Sequence, residues 1–179
     1  MPDEEVPVID LTPLREGDYA ACAQAVAEAC AEWGFFQVVN HGVDPALCVA
    51  RDEQMRAFFA LPIEEKRAIR RSADNARGFF DDELTKQRRD WKQCLDFGNP
   101  ASRDWARADD DAANANLDGF NRFPPASRLP DFRATMSRYF DALTALSNDI
   151  SKVMAVGLGM PPDYFVDRLH AAHSSFLRL

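Results

Sequence analysis

The chain has only three histidines, and two of them stand in a spacing that could hold a metal. Asp167, His170 and His173 fall at i, i+3 and i+6, so neighbouring pairs would share a helix face. Two imidazoles and a carboxylate are a donor set that suits non-haem iron. A facial arrangement of such ligands needs a rigid scaffold. This segment is short and contains alanine, so its side chains read as exposed or otherwise satisfied. His41 lies in Asn40-His41-Gly42, where a histidine hydrogen-bonded within its own turn is favoured over a catalytic base. Cys22, Cys30, Cys48 and Cys94 include no CxxC pair. Cys22 and Cys30 would sit about 12 Å apart along one helix, too far for a disulfide. All four read as reduced and structural. No GxGxxG, GxxxxGK or nucleophile elbow occurs. Glu64/Glu65 and Asp81/Asp82 are adjacent pairs, which read as solvated faces and not as a glycosidase acid pair. The residues alone describe a soluble α-rich domain with no complete active site. They assign no catalytic, cofactor-binding or metal residue.

A net charge of -8 argues against nucleic acid, which calls for a basic stripe, and against an anionic membrane surface. The acidic start MPDEEVPVID lacks the basic and apolar regions of a signal peptide, and no apolar run approaches membrane-spanning length. A cytoplasmic location is the expectation. With 179 residues and 46% hydrophobic content, the chain can build a sizeable core in one domain or a little more.

Several elements must frame these residues. Val6–Leu11 reads as a short strand, with Pro7 at its start or on an edge. Asp18 is placed to cap a helix running to about Trp33, with Val26, Ala29, Cys30 and Trp33 as its apolar stripe. Residues 35–39 form a strand. Asp44-Pro45 starts a second helix, and Leu61-Pro62 restarts it. Arg67, Arg70 and Arg71 near that helix end read as dipole-compatible surface. Arg77–Phe80 is extended, 81–90 is polar, 92–97 is a strand, 101–119 is a surface loop and 121–130 is irregular. Apolar residues at steps of three and four from Phe132 to Met154 predict a long amphipathic helix, ended by Gly157, Gly159 and Pro161-Pro162. Residues 162–169 can make a short helix, and 175–179 begin a strand.

Seven segments in order carry a resemblance: VPVIDLTPL at 6–14, WGFFQVVNHGV at 33–43, FFALPIEEK at 58–66, RGFF at 77–80, DWKQCLDFG at 90–98, GLGMPPDYF at 157–165 and SFLRL at 175–179. Together the chain resembles the N-terminal region of the isopenicillin N synthase-like 2-oxoglutarate and Fe(II)-dependent oxygenases. The resemblance implies an α+β fold, a mainly helical N-terminal layer with a few short strands that complete a double-stranded β-helix, or jelly-roll, whose catalytic portion is absent. It implies a non-haem dioxygenase N-terminal domain over 1–130. Residues 131–179 would then give the long core helix, a short helix and the first strand of the missing jelly-roll.

In that family the iron ligands are a His-x-Asp pair and a distant His, and Arg-x-Ser holds 2-oxoglutarate. No His-x-Asp pair occurs here, and His41 matches the family's structural Asn-His-Gly turn. The chain is therefore expected to be an incomplete oxidoreductase that binds neither Fe(II) nor 2-oxoglutarate, both of which the complete enzyme would use on a small organic substrate. Arg77, Phe79 and Phe80 are candidates for the substrate mouth. The expected partner is the jelly-roll, in cis or less readily in trans. A standalone binding or regulatory remnant and one half of a split oxygenase are the alternatives. Strands at 6–11, 35–39, 92–97 and 175–179 are expected to lack their jelly-roll partners, leaving unpaired edges and apolar surface that promote self-association.

Overall fold

A computed structural model describes residues 5–73, 75–85, 87–99, 119–170 and 175–179. The fold is α+β. It divides into two compact units, Met1–Asp44 with Ala142–Ala172 and Pro45–Asp141 with His173–Leu179.

The first unit opens with β1 (Val8–Asp10), followed by α1 (Thr12–Arg15), α2 (Tyr19–Glu32) and β2 (Gln37–Val39). The predicted cap is present: the Asp18 carboxylate accepts from the Ala21 N–H at 3.0 Å, satisfying one of the unpaired donors of the first turn. At the other end Gly34 takes φ +76° and donates to the Ala29 carbonyl, which stops the helix. The buried stripe of α2 is Cys22, Ala23, Val26 and Ala29. Cys30, expected inside, is exposed and Trp33 is half-buried, because the buried face turns on Cys22 and Ala23.

β1 and β2 pair in parallel with Ile9 opposite Val38, the connection being helical as parallel strands require. Period-two alternation sends Ile9 into a core of Leu11, Leu14, Cys22, Val26 and Val153, and leaves Val8 and Val39 exposed. The second half of the long helix α5 (Phe132–Gly157) and a π-helical turn at Val166–His170, where a short helix was expected, belong to this unit.

The second unit contains α3 (Pro45–Phe59), α4 (Ile63–Arg67), β3 (Gly78–Phe80), β4 (Leu84–Thr85), β5 (Arg88–Arg89), β6 (Cys94–Gly98), the start of α5 and β7 (Phe176–Arg178). The β4–β5 hairpin falls in the stretch read as merely polar. The expected surface loop at 101–119 lies outside the described residues except for Gly119.

The expectation of unpartnered strands fails for 92–97. β6 is central, antiparallel to β3 on one side and to β7 on the other. Its five residues are all buried. Phe79, Leu95 and Phe97 join Phe58, Phe132, Met136 and Phe140 in an aromatic core against α3 and α5. Lys66 is also buried there. Its ammonium donates to the Phe59 carbonyl at 2.7 Å and to Gln93 Oε1 at 2.8 Å, while burial pulls its pKa down.

Candidate functional site

The sequence candidates do not converge. The Val43 N–H donates to His41 Nδ1 at 3.1 Å, so this ring nitrogen is occupied within its own turn. Asn40 holds φ +55°, a left-handed conformation that Asn tolerates, and its amide donates to Asp10 Oδ1 at 3.0 Å. The same oxygen accepts from the hydroxyl and the N–H of Thr12, and these three bonds hold the Asp10 pKa down, the Thr12 hydroxyl most strongly. The WGFFQVVNHG stretch thus ends in a turn tied back to β1. Asp167 is exposed in the π-helical turn. His173 and the side chain of His170 lie outside the described residues. Among the described residues, no three of His, Cys, Asp and Glu group to hold a metal ion. The four cysteines are free.

Arg77, Phe79 and Phe80 separate. Phe79 points into the aromatic core. Phe80, one residue on, faces the other side of the sheet, as the pleat requires. That second face also carries Asp96 of β6 and Arg178 of β7. Arg178 spans the strands with a two-pronged pair, Nε to Oδ1 and Nη2 to Oδ2, each 2.8 Å. Hydrogen bonding to Asp96 pushes the Arg178 pKa up. Its Cζ lies 4.9 Å from the Phe80 ring centroid, and the Cζ of Arg71 stacks on the same ring at 3.7 Å. Arg77 is buried, with Cζ 5.1 Å from the Phe176 ring. A Cβ at Gly98 would meet its Nη2 at 2.6 Å, so this glycine makes room for the guanidinium.

One member of each acid pair departs from the solvated face expected of it, while Glu64 and Asp82 are exposed. Asp81 is buried and takes Arg67 at 2.6 Å, with Arg70 at 3.4 Å. Asp82 pairs with Arg70. Glu65 accepts both prongs of Arg128. Two of the three arginines read as plain surface therefore hold the segment after β3. Glu83 is bound by Lys92 at 2.7 Å, which holds its pKa down. The sequence signal for this face was the alternation Cys94-Leu95-Asp96-Phe97 against Phe176-Leu177-Arg178, which sets one acid and one base on the same side of their strands. Pairing them required the register.

The first unit has an apolar groove of about 410 Å³ lined by α2, the end of α5 and the segment that follows it, among them Val26, Cys30, Met154 and Phe165.

Comparison with known proteins identifies the frame that carries this face. Residues 6–126 match the family model described as non-haem dioxygenase in morphine synthesis, N-terminal. Azadirone synthase LFS of Melia azedarach is 33% identical over 171 residues, which cover 91% of this chain and 49% of that protein. A full-length Neurospora crassa protein, solved in complex with alpha-KG, superposes with a TM-score of 0.78 at 24% identity, over 97% of this chain and 53% of its own. JOX2, solved with 2OG, Fe and JA, gives a TM-score of 0.68 at 29% identity, over 97% and 46%. The chain spans about half the length of the curated relatives it matches. With most of its length inside the family model, the chain belongs to the non-haem dioxygenase N-terminal family, the N-terminal region of the 2-oxoglutarate/Fe(II)-dependent oxygenases.

Proposed function

We propose that this chain is the N-terminal, non-metal-binding part of a 2-oxoglutarate- and Fe(II)-dependent oxidoreductase acting on a small organic substrate. The observation that carries this reading is the family match over 6–126. The half-length coverage of the relatives supports a jelly-roll supplied by further sequence in cis, or less readily by another chain. On this reading residues 1–130 are the dioxygenase N-terminal domain. Residues 131–179 contribute the core helix, the helical turn and the first strand leading into the jelly-roll. The working location is the cytoplasm, with no nucleic acid or membrane as partner; no described helix is long and apolar enough to cross a membrane.

Among the described residues the donors do not fit iron. His41 Nδ1 is already an acceptor within its turn, and Asp81, Glu83 and Asp96 are spent on arginine and lysine. We therefore assign Fe(II) and 2-oxoglutarate to no residue of this chain, and no catalytic step is derived through them. The test measures succinate formed from 2-oxoglutarate with added Fe(II). The 179-residue chain is expected to form none, and a longer form carrying the jelly-roll is expected to form it. Turnover by the isolated chain overturns the incompleteness, and none by the longer form overturns the enzyme class.

A further inference from the structure

We propose that Arg71, stacked on Phe80, is the contact for the carboxylate of a small planar substrate, on the face of the β3–β6–β7 sheet turned away from the aromatic core. The proposal rests on the oxygenase reading above and adds the substrate's chemical class.

The charges on this face are nearly all spoken for. Arg178 is held by Asp96 and lies 3.8 Å from Glu83. Lys92 is held by Glu83 and Asp90. Arg67 and Arg70 are held by Asp81 and Asp82. Arg122 donates to the Arg70 carbonyl and to Ser72. Arg77 is buried and engaged. Arg71 is different. Among the described residues its side chain makes no hydrogen bond or ion pair, and its guanidinium rests on the ring of Phe80. Glu83 is near enough to feel its charge, but the Glu83 carboxylate is bonded to Lys92.

The guanidinium is also held in place. The Arg71 N–H donates to the Phe79 carbonyl at 3.0 Å, which pins the residue beside β3. Phe80 is 1% exposed, so the ring beneath the guanidinium is fixed by its surroundings. With its Cζ 3.7 Å from the ring centroid and no ion pair among the described residues, the guanidinium keeps its N–H groups for a carboxylate, whose geometry the arginine fork matches. Little rotamer entropy remains to be lost when an anion arrives. Nearby, Phe176 is half exposed and lies 5.8 Å from the Arg178 Cζ, giving the same face an apolar ring surface. A cationic edge beside aromatic rings selects a flat carboxylate over a neutral alcohol of the same shape.

The test uses benzoate as the probe, titrated into the isotopically labelled 179-residue chain and followed by amide chemical shifts. Benzyl alcohol and acetate are parallel arms. Saturable shifts at Phe80 and Phe176 are expected with benzoate. Arg71→Gln is expected to weaken binding about tenfold or more, the scale of a lost charge-assisted bond. Arg138→Gln, an exposed control on α5, should leave it unchanged. Arg71→Lys, which keeps the charge and loses the fork, is expected to fall between, and it decides the question if Arg71→Gln does not fold. Equal affinity in parent and Arg71 variants overturns the proposal. So does binding of benzyl alcohol or acetate as tightly as benzoate. No metal is needed for this readout. Benzoate binding through Arg71, in a protein whose longer form turns over no 2-oxoglutarate, would refute the enzyme reading and leave the site standing.

Discussion

Asp96 and Arg178 stand directly opposite each other across β6 and β7, 82 residues apart in sequence, joined by two 2.8 Å hydrogen bonds. The neighbouring residues Leu95 and Leu179 exchange both backbone bonds, so the Asp96–Arg178 position is the narrow, non-hydrogen-bonded one where side chains come closest. The outward-facing N–H and C=O groups of Phe176 and Arg178 consequently point to the free edge of β7. The pair ties the last strand to β6, and among the described residues no strand pairs on its outer edge.

A double-mutant cycle of Asp96→Asn and Arg178→Gln measures the pair. The Asp96 side chain is 6% exposed and the Arg178 side chain 39%, so the coupling should exceed that of a surface ion pair, at about 1–2 kcal/mol. Urea unfolding of the four proteins supplies the number. A coupling near zero would mean that the strand is held by Leu177 and Leu179 alone.

Gly78→Ala is expected to be among the most damaging single changes. Gly78 has φ +126°, and a Cβ there would lie 2.5 Å from the Ile69 carbonyl oxygen and 2.9 Å from the Arg71 nitrogen. Neither backbone atom can give way without breaking the bridge between Arg70 and Phe79. A loss of about 2 kcal/mol or more is expected from strain and overpacking together. Thermal unfolding tests it, with Gly159→Ala as a comparison that also has positive φ but open space.

Lys66→Ala removes the partner of the Phe59 carbonyl and of Gln93 in one step. Loss of these bonds costs about 1–3 kcal/mol. Lys66→Met keeps most of the buried stem, so the difference between the two variants in urea separates packing from hydrogen bonding.

Asp10 gives a pH signature. Its folded pKa is lowered by Thr12 and Asn40, so the ionised carboxylate stabilises the fold above the unfolded value, about pH 4, and the contribution fades as pH falls through the lower folded value. The gap in urea midpoint between the parent and Asp10→Ala should therefore be widest near neutral pH and shrink in acid. A gap that does not change with pH would show that these bonds do not distinguish carboxylate from carboxyl.

The sequence by itself determined the helices and the turns, because their causes are local. Asp18 three residues before Ala21 is a cap, the apolar spacing from Phe132 onward is a helix, and Asn40-His41-Gly42 closes on itself through a ring nitrogen. It also determined the family, through short segments in a fixed order. Tertiary structure decided the strand partners, which depend on residues far apart in the chain. Val8 and Val39 were equivalent to Ile9 and Val38 until pairing sent one set inward. The same holds for charge. Asp81 was one of two adjacent acids until burial beside Arg67 made it a fixed counter-ion, and Arg71 was one of three arginines until the ring of Phe80 came beneath it. Local bonding is written in neighbouring residues, whereas which charges are neutralised and which remain available depends on which distant side chains the fold brings within a few ångströms.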